Sequence, residues 1–279
     1  MKRLDAFRSL ANQIGVPIEE KIISAGTVKT NYITAGKGQP VVLVHGAGAG
    51  AITWYPIIGS LSKYFYVIAP DVVGYGESDK PSAPYDRPYF SAWLRTFLDA
   101  LNIERANLVG LSQGGPIVIQ FALDNPERVD RLVLVTSAGL GKGIPLGAVL
   151  GLMWLNTFPS KAAAWWLNHY LVHNMRTINK VYDEYMMGVC RMPGGKRAFW
   201  QGRGKAVSPI PPEQLTRITN QTLIISGSEE KFFPVAHSEA AKQVMPNAQL
   251  KVIPEAAHIP FFEQSEIFDD ILLQFLKGK

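Results

Sequence analysis

Ser112 lies between Gly110 and Gly114, where the apolar run Asn107-Leu108-Val109 stops and a helical pattern from Pro116 to Leu123 starts. A serine held between two glycines at a strand-to-helix junction sits in a tight, strained turn that lifts its hydroxyl clear of the backbone. Side chains at the glycine positions would collide. The spacing alone also fits an ordinary loop serine, so the flanking strand and helix carry the reading of a nucleophile. Upstream, Val41-Val42-Leu43-Val44 breaks into His45-Gly46-Ala47-Gly48, a glycine-rich turn able to present backbone N–H groups. Fixed N–H donors in a dry site stabilise the negative charge that develops on a carbonyl oxygen during acyl transfer. The chemistry in prospect is nucleophilic attack on a carbonyl.

Near-continuous apolar runs recur at Val41 to Val44, Tyr66 to Ala69, Asn107 to Val109, Leu132 to Val135, Thr222 to Ile225 and Gln249 to Ile253. Such runs read as buried parallel strands. Between them lie helical patterns such as Phe90, Trp93, Leu94, Phe97, Leu98 and Leu101, whose spacing gathers the apolar side chains on one face. The alternation predicts an α/β fold with a mostly parallel, doubly wound sheet. Glu20 to Ala25 and Lys29 to Thr34 read as a leading antiparallel hairpin, and the last helix, Glu266 to Leu276, is expected to open on Ser265 as its N-cap. Ligands of such sheets bind outside the carboxyl ends of the strands, where Ser112 falls. After the sixth strand the alternation stops. Residues 139–208 are helical and rich in tryptophan until Pro209-Ile210-Pro211-Pro212 returns the chain to the core, so the reading is a core of residues 1–138 and 209–279 with a helical lid between them.

A chain of 279 residues suits one large α/β domain carrying such an insertion. The single cysteine, Cys190, has no intramolecular disulfide partner and reads as a lid residue. Residues 1–8 are basic but lead into no apolar core of a signal peptide, which predicts a soluble, cytoplasmic protein. Gly143 to Ser160 carries no charge, yet Pro145, Gly147, Gly151, Asn156 and Pro159 interrupt it. The stretch therefore reads as the cover of an apolar pocket and not as a stable membrane insertion. From Lys142 to Lys205 there are nine basic residues against Asp183 and Glu184, whereas the whole chain is only +5. The excess belongs to the lid, and no aromatic stacking platform interleaves it, so no nucleic-acid partner is expected. It is either a solvated face or a field that attracts an anionic substrate or membrane surface. A homo-oligomer is left open.

His45-Gly46-Ala47-Gly48, Asp71-Val72-Val73-Gly74-Tyr75-Gly76-Glu77-Ser78-Asp79, Gly110 to Gly114 and Ala257-His258 together resemble the α/β-hydrolase superfamily, over nearly the whole chain and in its order of nucleophile, acid and histidine. The resemblance implies that Ser112 attacks, that the amides of Ala47 and Gln113 form the oxyanion hole, and that His258, in the loop after Leu250 to Ile253, shuttles the proton. It implies structural roles for His45 and for the Asp71 to Asp79 turn. In the family's pattern of a glycine, an acid three residues on and a later proline, Gly227 to Pro234 puts Glu230 at the acidic position, with Glu229 as the alternative. After the sixth strand, another place for an acid, stands Ser137. His169 and His173, four apart on a lid helix, have a spacing that suits zinc, but no glutamate lies between them and no third ligand is evident. His237 reads as a surface residue of the helix after the seventh strand.

The resulting expectation is a serine carboxylesterase acting on a small-molecule ester through an acyl-enzyme, with no metal and no organic cofactor. Gly46, Gly48, Trp154, Arg191 and Ile259 are expected to touch the substrate. A serine nucleophile disfavours the dehalogenases and epoxide hydrolases of this superfamily, which depend on aspartate there. Pro126 to Leu134 and the chain's tail also resemble carbon–carbon hydrolases of the meta-cleavage type, whose anionic substrates would give the basic lid a purpose. That group has asparagine before the serine, tryptophan after the histidine and proline in the first glycine turn, where this chain has Leu111, Ile259 and Ala49. A third reading is a ligand-binding protein that keeps the scaffold without turnover.

Overall fold

A computed structural model describes residues 2–202 and 204–278. Strands β1 (Glu19–Ala25), β2 (Val28–Ala35), β3 (Pro40–Val44), β4 (Tyr66–Pro70), β5 (Ala106–Leu111), β6 (Val129–Val135), β7 (Gln221–Gly227) and β8 (Ala248–Ile253) form one eight-stranded sheet in the order β1-β2-β4-β3-β5-β6-β7-β8. The first hairpin is antiparallel, β2 pairs antiparallel with β4, and from β4 to β8 every pairing is parallel. Helices α1 (Arg3–Ala11), α2 (Tyr55–Leu61), α3 (Arg87–Ala100) and α4 (Gly114–Asp124) precede the lid. The lid carries α5 (Leu146–Thr157), α6 (Lys161–Leu171), α7 (Lys180–Arg191) and α8 (Arg197–Gly202). The chain then adds α9 (Pro212–Leu215), α10 (Val235–Val244), α11 (Pro260–Glu263) and α12 (Ser265–Leu276).

The period of two in a strand divides the core. Val41, Leu43, Val109, Leu111, Val133 and Val135 face one layer with α1, α2, α12 and the lid's inner side chains. Val42, Val44, Leu108, Leu132 and Leu134 face the other, with α3, α4 and α10. Parallel pairing aligns the strand ends: Val44 opposite Gly110, Leu111 opposite Val135, Val135 opposite Ile225 and Gly227 opposite Ile253. Every loop that leaves a carboxyl end from β3 to β8 therefore emerges along one rim. The lid leaves from that rim after β6 and returns beside its own start, where the Ile210 amide donates to the Gly139 carbonyl at 2.8 Å.

Four expectations need correction. The Gln249 to Ile253 run forms an edge strand in which only Ile253 is buried, because nothing pairs beyond it. Gln264, not Ser265, is the N-cap of α12, without a side-chain cap bond. His173 lies past the end of α6, so it does not share a helix face with His169, whose Nδ1 bonds the Trp165 carbonyl at 2.8 Å. His237 is half-buried, its ring filling the space above Gly141.

One carboxyl of α12 gives a pH prediction. Burial raises the Asp269 carboxyl from its ordinary value to about 6, and its Oδ1 has no hydrogen-bond partner among the described residues. A raised carboxyl pKa means that the folded state binds more protons than the unfolded chain between pH about 4 and 6, so the charged form destabilises the fold as pH rises through that window. Asp269→Asn is expected to raise stability at pH 8 by about 1 kcal/mol, a half-buried group being partly screened. The gain should vanish near pH 4 in thermal melts.

Candidate active site

Ser112 follows β5 with φ of +53°, a left-handed conformation that a non-glycine residue adopts only where its surroundings enforce it. Its amide donates to the Val135 carbonyl at 3.0 Å, and its carbonyl accepts from Gly115 and Ala138 at 3.0 and 3.1 Å. The turn closes on itself so tightly that a Cβ on Gly110 would sit 2.5 Å from the Gly114 carbonyl oxygen. Gly46 passes over the serine, and a Cβ there would lie 3.1 Å from the Ser112 Cβ. The N-terminus of α4 points at this position with its positive dipole end.

The turn after β3 is held from below. His45 is buried, its Nδ1 donates to the Gly46 carbonyl at 2.7 Å and its Nε2 accepts from the Val72 amide at 2.9 Å. Burial lowers its pKa and keeps it neutral, which matches the tautomer those bonds demand. Asp71 accepts from the amides of Ala51 and Glu77 at 2.6 and 2.7 Å and from Asn31 Nδ2 at 3.0 Å. Both are structural, as the sequence suggested. Gln113 is fixed through its side chain, whose Oε1 accepts from the Tyr75 hydroxyl at 3.0 Å. Among the described residues the amides of Ala47 and Gln113 donate to no acceptor in the chain, so both remain available to a ligand's oxygen.

His258 and Glu230 meet across the rim from β8 and β7. His258 Nδ1 lies 2.8 Å from Glu230 Oε2, with side chains 5% and 0% exposed. Glu230 Oε1 accepts from the Phe232 amide at 2.6 Å and the Phe233 amide at 3.4 Å, so the loop's own backbone orients the carboxylate. The Phe232 and Phe233 rings lie 4.5 and 5.6 Å from the imidazole. Glu229 is half-exposed and 4.0 Å from His173 Nδ1, away from His258. Of the two acids, Glu230 is the one placed beside His258.

Sequence reasoning missed two supports of His258. Thr136, directly after β6, has φ of +41° and its hydroxyl donates to the His258 carbonyl at 2.8 Å. Glu263 takes three backbone amides at 2.8 Å each: Ala257 on Oε2, and His173 and Asn174 of the lid on Oε1. Beside it the Ile259 amide donates to the Leu171 carbonyl at 3.1 Å. The histidine loop and the end of α6 are thus strapped together by contacts that no local motif announces. Glu263→Ala orphans three amides and is expected to cost about 2 kcal/mol of stability. The loosened loop is expected to lower kcat about tenfold, with steady-state kinetics and thermal melting as the readouts.

A cavity of about 90 Å³ lies over Ser112 and His258. Gly46, Ala47, Gly48, Gln113 and Ile259 line it, as expected, and so do Ala49 and Leu111. The lid contributes Leu152, Leu155, Leu167, Leu171 and Met186, with the polar groups of Asn156 and Tyr182. Trp154 and Arg191 do not line it, contrary to expectation. Trp154 projects from the opposite face of α5 and is 40% exposed, while Arg191 is exposed and donates to the Pro159 carbonyl at 2.8 Å. Among the described residues the lining holds no charged side chain. A serine, a histidine paired with a carboxylate, and two free amides around one apolar cavity have the chemistry that acyl transfer requires.

A family model described as the alpha/beta hydrolase fold matches residues 39–265. A 2-hydroxymuconate semialdehyde hydrolase of Pseudomonas sp. (strain CF600) is 31% identical, over 95% of this chain and 96% of its own. Among solved structures, a meta-cleavage product hydrolase from Pseudomonas fluorescens IP01 matches with a TM-score of 0.84 at 32% identity, covering 92% of this chain and 97% of that one. A carboxylesterase from Bacillus subtilis matches with a TM-score of 0.90 over 99% of this chain and 98% of that one; at 22% identity this is a likeness of fold alone.

Proposed function

The chain belongs to the α/β-hydrolase family, and on that premise we propose that it hydrolyses small, uncharged carboxylic esters. The Ser112 hydroxyl attacks the ester carbonyl while His258 Nε2 takes its proton. Glu230 holds the opposite ring nitrogen and stabilises the imidazolium, and the amides of Ala47 and Gln113 receive the oxyanion. The carbonyl reforms, the carbon–oxygen bond breaks, and the alcohol leaves with the proton from His258. Water activated by the same imidazole then releases the acid from the acyl-enzyme.

The observation that carries this reading is the apolar lining of the cavity. A carboxylate placed among Leu152, Leu155, Leu167 and Leu171 loses its hydration with no cation to replace it, and that penalty exceeds what apolar packing can return. Ala49, Leu111 and Ile259, the departures from the meta-cleavage pattern, all face this space. The second reading, carbon–carbon hydrolysis of a dienoate, is favoured by the names of the relatives at 31% and 32% identity. The two readings share their nucleophile, base and oxyanion hole, and differ in what the cavity must bind.

Steady-state hydrolysis of 4-nitrophenyl acetate, butyrate, octanoate and palmitate, with one dienoic ring-cleavage product in the same panel and Ser112→Ala as the blank, separates them. Acetate and butyrate are expected to turn over fastest, because Leu152, Leu155, Leu167 and Leu171 close over the cavity above Ser112. A dienoate cleaved faster than every ester would reverse the assignment. A folded protein whose Ser112 ignores both substrates and a fluorophosphonate would be a binding protein.

A further inference from the structure

The outer face of α5 is apolar, like its inner one. Leu146, Leu150, Met153, Trp154 and Phe158 follow one another at helical spacing along α5 and its end, and all are exposed, Leu146 and Phe158 by 72% and 71%. Trp165 and Trp166 of α6 extend the face, with the Trp154 and Trp166 ring centres 6.5 Å apart. A helix apolar on every side belongs in a buried setting, yet only one side of α5 meets the protein. Monomeric proteins seldom expose so continuous a patch without a partner for it.

Cations stand at both ends of α5. At the α5–α6 turn, beside Phe158, Lys196 Nζ donates to the Thr157 carbonyl and Arg191 to the Pro159 carbonyl, while the Lys161 side chain is 88% exposed. Each retains further N–H donors. Lys142 is exposed before the other end of α5. Of the lid's two carboxylates, Asp183 is turned onto Asn168 Nδ2 at 3.0 and 3.1 Å and Glu184 lies 3.5 Å from Lys161. Aromatic and aliphatic side chains bordered by Lys and Arg suit the boundary between lipid headgroups and acyl chains. A second copy of the chain suits it poorly, since a two-fold contact would set one basic lid against another. No helix among the described residues is long and apolar enough to cross a membrane, so the face can lie on a bilayer surface.

We propose that the outer face of α5 and α6 docks on an anionic lipid bilayer. This goes beyond the esterase reading and does not depend on it. The same two helices roof the cavity through Leu152, Leu155, Leu167 and Leu171, so docking sets the roof of the site against the phase in which apolar esters dissolve.

Flotation of the full chain with vesicles of phosphatidylcholine alone, or of equal parts phosphatidylcholine and phosphatidylglycerol, tests the proposal. The wild type is expected to bind the anionic vesicles at least about tenfold better than the neutral ones, and to be released by salt. Leu146→Glu with Phe158→Glu, which touch neither cavity nor core, should reduce binding by about tenfold while hydrolysis of a soluble acetate ester and the melting temperature stay unchanged. A Lys142→Glu and Lys161→Glu pair should weaken binding to anionic vesicles only. Equal absence of wild-type protein from both vesicle types overturns the proposal. So does a dimer in light scattering that the leucine and phenylalanine substitutions dissociate without any vesicle binding, which would assign the face to a second copy.

Discussion

Glu230→Gln is expected to lower kcat/KM for an ester about 10³- to 10⁴-fold with little loss of stability, while Glu229→Gln leaves it within about twofold. The size follows from which proton sits where. In the native site Glu230 Oε1 accepts from the Phe232 amide at 2.6 Å, leaving Oε2 to accept from His258 Nδ1 at 2.8 Å. A glutamine has one acceptor oxygen and one NH2 group. The Phe232 amide is a donor and claims the oxygen, so the NH2 is turned to His258 and makes Nδ1 an acceptor. The ring proton then resides on Nε2, the nitrogen that must be bare to take the proton of Ser112. The amide is nearly isosteric with the carboxylate, so packing against Phe232 and Phe233 survives and the loss falls on catalysis. Glu229 is half-exposed and faces His173, so it serves as the control. Activity losses of similar size in the two variants would place the orienting acid elsewhere. Steady-state kinetics beside a thermal melt of each variant makes the comparison.

The residues that chemistry demands were legible because their constraints are local. A glycine, serine and glycine at a strand end, a glycine turn after another strand and a histidine in a loop after the last strand each carry a short-range reason for their residue types, and parallel register brings them to one rim. Glu230 was legible only beside Glu229, since the choice rests on which side chain the Phe232 amide captures. Thr136 and Glu263 were not legible. Their bonds to His258 and to the lid cross long stretches of chain, and neither residue type is rare in loops. The lid was less legible for a further reason. Trp154 and Arg191 have the residue types of pocket groups, an aromatic and a cation, but α5 is apolar on both faces, so its hydropathy does not reveal which one turns inward, and Arg191 closes α7 with its guanidinium on the Pro159 carbonyl. The inner face of α5 is taken by Leu152, Leu155 and Asn156, and Trp154 lies on the outer one.

The elbow that presents Ser112 allows almost no volume change, and Gly114→Ala is expected to be the most damaging single methyl in the core of the site. A Cβ on Gly114 would enter the Val44 carbonyl oxygen and crowd the His45 carbonyl. These are backbone atoms of β3 and of the turn carrying Ala47, held by parallel pairing to β4 and β5, so no side chain can rotate away to make room. Overpacking against a fixed backbone costs about 3 kcal/mol or more, roughly 10 °C in Tm for a domain of this size. The strand can yield only by carrying the Ala47 amide away from Ser112, which separates the two oxyanion donors. Activity is therefore expected to fall about 10²-fold or more even where the protein still folds. Gly143→Ala is the matched control: its φ is +91° but its Cβ would meet nothing within 4 Å, so only backbone strain remains, about 1 kcal/mol. A Gly114→Ala protein that melted and reacted like Gly143→Ala would mean that the β3 turn is mobile enough to give way, and that the oxyanion amides are not held in place before substrate arrives.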